Sequence, residues 1–127
     1  MAWTLDARLP VVIVADAAAL ASALAVAAGP KAAVLAEAPP PPHMPDGAVA
    51  LASFDPFLPH AAGCGCCGGR PPAAAALDRP FQARVRGACP WFERVVALAE
   101  TQAARNAVSA ALESDAVTAA RFRIAPP

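Results

Sequence analysis

The chain has 127 residues, which is enough for one domain of ordinary size and too few for two. Ten Lys and Arg side chains balance ten Asp and Glu side chains, so net charge gives no reason to expect binding to nucleic acid or to an anionic membrane. Hydrophobic residues make up 57% of the chain but aromatic residues only 6%, and alanine supplies much of the difference. We therefore expect a core built from small side chains.

The apolar run near the N-terminus differs from a secretory signal peptide. Asp6 offsets Arg8 in the segment that should be basic, and Asp16 interrupts the apolar run. No uninterrupted apolar stretch reaches the roughly 18 residues that a membrane-spanning helix needs. These features predict a soluble, cytoplasmic protein, and in that reducing compartment clustered cysteines favour metal or redox chemistry over structural disulfides.

The first part of the chain has the pattern of a strand, a helix and a second strand. Residues 10–15 form a continuous, largely β-branched run of the kind buried in a parallel sheet. Asp16 is placed to cap a helix over residues 17–28, which a Gly-Pro pair ends. A second apolar run over residues 32–36 then completes one βαβ unit.

Two segments rich in special residues flank the third predicted strand, residues 48–53. Residues 38–47 are rich in proline and are expected to form a stiff surface loop, because proline cannot donate to a sheet. Residues 54–60 lead from the strand into a segment rich in cysteine and glycine, residues 62–70. That segment holds three of the four cysteines of the chain.

The second half of the chain alternates helix and strand again. Pro80 is expected to kink the first of these helices or to break it in two. Cys89, Trp91 and Phe92 are expected to pack in the core. The predicted elements are a helix over 71–86, a strand over 94–99, a helix over 101–113 and a short edge strand over 119–124.

Cys64, Cys66 and Cys67 are the strongest candidates for a functional site. The glycines around them permit the turns that would bring the three thiols together. Three thiolates could then bind one soft or borderline ion such as Zn²⁺, Co²⁺ or Cu(I). A fourth ligand could come from His60, His43, Glu37 or water. Two other interpretations are a turn with inert or disulfide-paired thiols and a redox site at the adjacent Cys66 and Cys67.

Several short segments fall in the order of a known family. The most distinctive is Gly63-Cys64-Gly65-Cys66-Cys67 between a strand and a helix, and the weaker ones are residues 9–14, 31–37, 92–96 and 122–124. On these segments the chain resembles the nucleotide-binding domain of the CobW group of P-loop GTPases, metal-delivery proteins related to HypB and UreG. The resemblance implies a partial three-layer, P-loop-NTPase-like α/β fold, with four or five mostly parallel strands and flanking helices, in a single domain over residues 1–127.

The resemblance also assigns roles to individual residues. It implies that Cys64, Cys66 and Cys67 bind the transported transition metal. Glu37 matches the acidic residue that follows the second strand in that family, and Asp46 falls near its first-switch aspartate.

The nucleotide-binding motifs of the family are missing from this chain. A P-loop needs Gly-x-x-x-x-Gly-Lys-Ser/Thr so that backbone N–H groups and a lysine hold the phosphates. The turn after the first strand has neither glycine nor lysine in residues 16–22, and Asp16 would repel a phosphate. The chain also contains no Asn-Lys-x-Asp motif, with which such GTPases recognise guanine.

These features predict a degenerate, non-catalytic CobW-like domain that binds Zn²⁺ or another transition metal such as Co²⁺, binds no nucleotide and assists metal trafficking. Another protein subunit or a second copy of the chain is a possible partner, while nucleic acid and membrane are not expected. One alternative is a ligand-free interaction module derived from such a GTPase. Another is a working P-loop nucleotidase with an unusual loop.

Overall fold

The computed structural model describes residues 6–25, 29–57 and 70–125. Helices and strands alternate along these residues. Their bounds are β1 (Leu9–Val14), α1 (Ala17–Leu24), β2 (Ala32–Glu37), β3 (Ala48–Phe54), α2 (Pro72–Arg86), β4 (Arg94–Leu98), α3 (Gln102–Ser114), α4 (Ala116–Arg121) and β5 (Phe122–Ile124).

The five strands form one parallel sheet in the order β3-β2-β4-β1-β5. The predicted α/β class with mostly parallel strands is therefore confirmed, and the arrangement is consistent with a three-layer P-loop-like fold. Leu98 of β4 is in register with Val14 of β1 and with Ala36 of β2. The carboxyl ends of the three central strands consequently lie side by side.

Helices cover both faces of the sheet. Alternate residues of a strand point to opposite faces, so neighbouring residues such as Val95 and Val96 belong to different layers. Leu20 and Leu24 of α1 pack on one face, whereas α2 and α3 pack on the other. Many of the buried positions are alanines, as the composition predicts. Within the described residues no helix is long and apolar enough to cross a membrane.

Capping residues set the helix boundaries. The carboxylate of Asp16 accepts a hydrogen bond from the backbone N–H of Ala19 and begins α1, and the hydroxyl of Thr101 accepts one from the N–H of Ala104 and begins α3. Gly87 ends α2 in the left-handed conformation, with φ of 73°. The described part of α1 ends at Leu24, and residues 26–28 of the predicted helix lie outside the described residues.

Pro80 does not break α2, so of the two expected effects, a kink or a break, the break does not occur. The helix runs unbroken from Pro72 to Arg86 with Pro80 buried inside it. A proline in a helix interior costs about 3 kcal/mol because it removes one backbone hydrogen bond and crowds the preceding turn. Leu77 before it and Phe81 after it both pack against the core, which holds the helix together on either side of the missing bond.

The predicted edge strand over residues 119–124 is correct only in its second half. Residues up to Arg121 belong to α4, because the carboxylate of Asp115 accepts hydrogen bonds from the N–H and the hydroxyl of Thr118 and starts a helix there. The strand β5 begins at Phe122 and pairs with β1 at the edge of the sheet.

The prediction for Trp91 was wrong, because its side chain is 57% exposed. It stacks on the guanidinium group of Arg84 instead of entering the core. Phe92 is fully buried, and Cys89 is partly buried against the core, as predicted for both.

Candidate functional site at the carboxyl edge of the sheet

An acidic residue stands at or just after the end of each of the first four strands. These residues are Asp16, Glu37, Asp55 and Glu100. The register places Glu37 opposite Phe54, the residue before Asp55, and places Val14 opposite Leu98. The four acidic residues therefore share the carboxyl edge of the sheet, the edge at which open parallel α/β sheets bind their ligands. We take this edge as the candidate functional site.

Asp16 occupies the position at which a P-loop protein would hold a phosphate. Its Oδ1 atom accepts a hydrogen bond of 2.7 Å from the N–H of Ala19 in the first turn of α1. The N-terminus of a helix attracts anions because its N–H groups are free and its dipole is positive there. Here the carboxylate of the chain itself occupies that anion position, and a phosphate beside it would meet like charge.

Glu37 ties the end of β2 to the beginning of α3. The side chain is buried, and its Oε1 atom accepts hydrogen bonds from the backbone N–H groups of Glu100 at 2.8 Å and Thr101 at 3.0 Å. Its Oε2 atom accepts the hydroxyl of Thr101 at 2.8 Å. A carboxylate has about four acceptor positions, so these three bonds leave one on Oε2 for a further ligand. Glu37 thus has a structural role in addition to its predicted role as a metal ligand.

The same hydrogen bonds keep Glu37 ionised. Burial by itself would raise the pKa of the carboxyl group, because it disfavours the charged form. The hydroxyl and N–H of Thr101, the N–H of Glu100 and the positive charge of Arg105 outweigh that effect and hold the pKa below its ordinary value. Glu37 is therefore a negative charge fixed at the edge of the sheet at neutral pH.

Arg105 of α3 lies next to these acidic residues, and its guanidinium group donates to backbone oxygens. Arg105 donates hydrogen bonds to the carbonyl oxygens of Ala99 at 3.0 Å and Glu100 at 3.3 Å. On the far side of the edge, the carboxylate of Asp55 accepts a hydrogen bond of 2.8 Å from the N–H of Phe57, which turns the chain after β3. Among the described residues, the acidic side chains at the strand ends outnumber the cation Arg105 beside them, which favours cations over phosphates.

The predicted cysteine ligands Cys64, Cys66 and Cys67, and His60 with them, lie outside the described residues. Of the other proposed ligands, His43 is exposed in the proline-rich segment and Glu37 is buried at the edge. In the ranges 6–25, 29–57 and 70–125, no group of three or more His, Cys, Asp and Glu side chains is arranged to hold a metal ion. The metal-site prediction therefore depends on the cysteine segment itself.

The sequence analysis did not predict an ion-pair network that includes Arg70, the last residue of this segment. Arg70 donates to both carboxylate oxygens of Asp115, at 3.2 and 2.7 Å, and to the hydroxyl of Thr118 at 3.1 Å. It also pairs with Asp78, which Arg121 reaches at 3.2 Å. The sequence signal that could have located Asp115 is its suitability as a helix N-cap, because Asp115 accepts a hydrogen bond from the N–H of Thr118 at the start of α4.

The network lowers the pKa of Asp115 to about 2, chiefly through the hydrogen bonds from Arg70. Because Arg70 is the last residue of the cysteine and glycine segment, the network fixes the point at which the chain enters α2.

Comparisons with protein-family models, curated proteins and solved structures give no significant match to this chain. A function for this chain must therefore be inferred from the chain's own residues.

Proposed function

We propose that this chain is a non-catalytic, CobW-like domain that binds a transition metal through Cys64, Cys66 and Cys67 and assists metal trafficking. Three thiolates within four positions form a donor set suited to Zn²⁺, and Co²⁺ is a second ion of matching chemistry. A site with three protein ligands keeps a fourth position open, which suits a protein that receives and releases its ion.

The observation that carries the proposal is the hydrogen bond from the N–H of Ala19 to Asp16. It supports a domain without phosphate chemistry, because the helix terminus that would bind a phosphate is already occupied by a carboxylate. The negative charge of the carboxyl edge supports a cationic ligand for the same reason. The chain resembles metal-delivery GTPases but lacks their phosphate site, which supports metal binding without nucleotide binding.

The path of the chain after β3 supports Glu37 as a further metal ligand. Glu37 is in register with Phe54, and the N–H of Ala38 donates a hydrogen bond of 2.8 Å to the carbonyl oxygen of Phe54. The chain therefore leaves β3 toward the cysteine segment next to the end of β2. With one acceptor position left on Oε2, Glu37 is our proposed oxygen ligand at the fourth position.

The test is the metal content of protein purified from cells under reducing conditions. We expect the parent chain to retain about one equivalent of zinc, because thiolates are strong ligands for Zn²⁺. The variant Cys64→Ser/Cys66→Ser/Cys67→Ser should lose that zinc, and Cys89→Ser, the matched control, should keep it. Equal metal content in the parent and the triple variant would refute the proposal.

A second candidate function is a ligand-free interaction module that pairs with another subunit or with a second copy of the chain. A groove of about 460 Å³ between α1 and the loop at Pro45–Gly47 favours it. Residues 17–25 carry no charged side chain, although α1 has an exposed face. A thermal unfolding midpoint unaffected by Zn²⁺, Co²⁺ and Mg²⁺-GTP, with dimer formation on a sizing column, would favour this function over metal binding.

A further inference from the structure

Trp91 is exposed at the end of the molecule opposite to the carboxyl edge of the sheet. It precedes β4, and its neighbourhood is the amino edge of the sheet, where the N–H of Glu93 binds the carbonyl oxygen of Lys31. Its indole is 57% exposed, and Val85 near the end of α2 is 60% exposed. A tryptophan side chain carries a large apolar surface, which is unfavourable to expose to water, and tryptophan is enriched among the residues that contribute most to binding at protein interfaces.

Arg84 holds the indole in place. Its guanidinium carbon lies 3.3 Å from the centre of the Trp91 ring and 5.5 Å from that of Phe92. The Nε–H of Arg84 donates a hydrogen bond of 2.7 Å to the carbonyl oxygen of Phe92, which fixes the plane of the guanidinium. The aromatic surface is therefore preorganised before any partner arrives, which reduces the entropy lost on binding.

Arg84 also has unused binding capacity. Within the described residues its two Nη groups donate no hydrogen bond, and no carboxylate lies within ion-pair distance of it. The half-buried arginines Arg70 and Arg121, in contrast, each pair with an aspartate. Neither Nη atom is among the buried polar atoms that lack a partner, so both remain accessible to solvent. Two parallel N–H donors in a fixed plane match the geometry of a carboxylate.

The other arginines of this region do not extend the patch. Arg79 and Arg86 lie five and two positions from Arg84 on α2, which puts them on the opposite side of the helix. The guanidinium group of Arg94 donates its hydrogen bonds to backbone oxygens of α1 and of the segment before β2. The free donors are therefore those of Arg84 itself, and a single carboxylate is the group that matches them.

We propose that Trp91 and Arg84 form a docking site for an acidic protein segment, in which one carboxylate binds the Nη groups of Arg84 and an adjoining apolar or aromatic side chain packs on Trp91. This proposal is independent of metal binding, because Trp91 lies at the amino edge of the sheet. The end of β3, from which the chain leads to the cysteine segment, lies at the opposite edge.

The test uses the full chain and immobilised synthetic polymers, with binding followed by interferometry. The probe is a random copolymer of glutamate and tyrosine, and the comparison polymers are polyglutamate and a random copolymer of lysine and tyrosine. We expect the glutamate-tyrosine copolymer to bind best, and added salt to weaken its binding. Trp91→Ala and Arg84→Gln should each weaken this binding by about tenfold, the effect of losing one central contact.

The controls separate docking from folding. Phe57→Ala removes an aromatic side chain that is 70% exposed after β3, and it should bind the copolymer as the parent does. Because Arg84→Gln also removes a hydrogen bond to Phe92, Arg86→Gln serves as the control of matching charge change: it removes one exposed arginine from the opposite side of α2 and should bind the copolymer as the parent does. Weaker binding by Trp91→Ala with an unchanged circular dichroism spectrum supports the site. Equal binding by the parent and Trp91→Ala, equal losses in Arg84→Gln and Arg86→Gln, or no preference for the glutamate-tyrosine copolymer, would overturn it.

Discussion

Glu37 and Thr101, 64 positions apart in sequence, are joined by two hydrogen bonds that use both oxygens of one buried carboxylate. The bonds link the carboxyl end of β2 to the start of α3, which follows the neighbouring strand β4 in the chain. They also hold a negative charge in a fixed position at the candidate edge. The relationship makes Glu37 important for stability whether or not it binds metal.

Replacing Glu37 with Gln is expected to lower the free energy of unfolding by about 2 kcal/mol, because one buried donor loses its acceptor and the bonds lose their charge. Urea denaturation measures this loss. Glu100→Gln is the matched control, since that side chain is exposed, and it should change stability by less than about 0.5 kcal/mol. Equal stability of the two variants would contradict the structural role of Glu37.

Asp115 is expected to make the protein sensitive to acid. Its pKa is lowered from 3.8 to about 2 in the folded chain, mainly by Arg70, so its stabilising effect is complete above its ordinary pKa and is lost as the pH falls toward 2. Asp115→Asn should therefore cost about 2 kcal/mol near neutral pH and flatten the decline of stability between about pH 5 and pH 2.

The control for Asp115 is Asp6→Asn. Asp6 also has a pKa lowered to about 2, chiefly by the side chain of Arg8, but both members of that pair are exposed to water. Water screens such pairs, so the Asp6 variant should unfold at nearly the same urea concentration as the parent at neutral pH. An Asp115→Asn variant as stable as Asp6→Asn would show that the Arg70 network does not stabilise the fold.

Gly47 and Gly87 offer a matched pair for testing the packing of the proline-rich loop. Both have positive φ, 91° and 73°, but a side chain at Gly47 would place its Cβ atom 2.8 Å from the carbonyl oxygen of Leu24, whereas one at Gly87 would meet nothing within 4 Å. Gly87→Ala should cost about 1 kcal/mol from backbone strain alone. Gly47→Ala should cost more, about 2 to 4 kcal/mol, because the loop must also move away from α1.

Thermal unfolding of the two glycine variants measures the difference. The account predicts a clearly lower midpoint for Gly47→Ala than for Gly87→Ala. Equal midpoints would mean that the loop does not press against α1 in solution.

Structural features that depend on a few neighbouring residues could be predicted from the sequence. For this reason the predicted strands and most of the predicted helix boundaries agree with the structure. The β-branched run of β1, Asp16 as a cap and the glycine that ends α2 each act within a few residues. Contacts between distant residues were not readable. The pairing of Arg70 with Asp115 and of Glu37 with Thr101 depends on which elements the fold brings together.

Two expectations came from local signals that tertiary packing overrode in full or in part. Pro80 favoured a kink or a break, but burial of the residues around it holds α2 together without a break. Trp91 argued for the core by its residue type, but the guanidinium of Arg84 gives its ring a partner at the surface. Of the candidate site, the acidic residues at the strand ends could be predicted once the strands were identified. The cysteine cluster stays a prediction from sequence.

Cobalt titration of the reduced, metal-free protein tests metal binding by the cysteine cluster most directly, because thiolate coordination gives Co²⁺ an intense charge-transfer absorption in the near ultraviolet. The account predicts that this absorption saturates at about one equivalent and is displaced by Zn²⁺, which prefers the same tetrahedral thiolate site. It should be lost in Cys64→Ser/Cys66→Ser/Cys67→Ser and kept in Cys89→Ser. A parent chain that develops no such absorption, or a triple variant that develops it equally, would contradict the account.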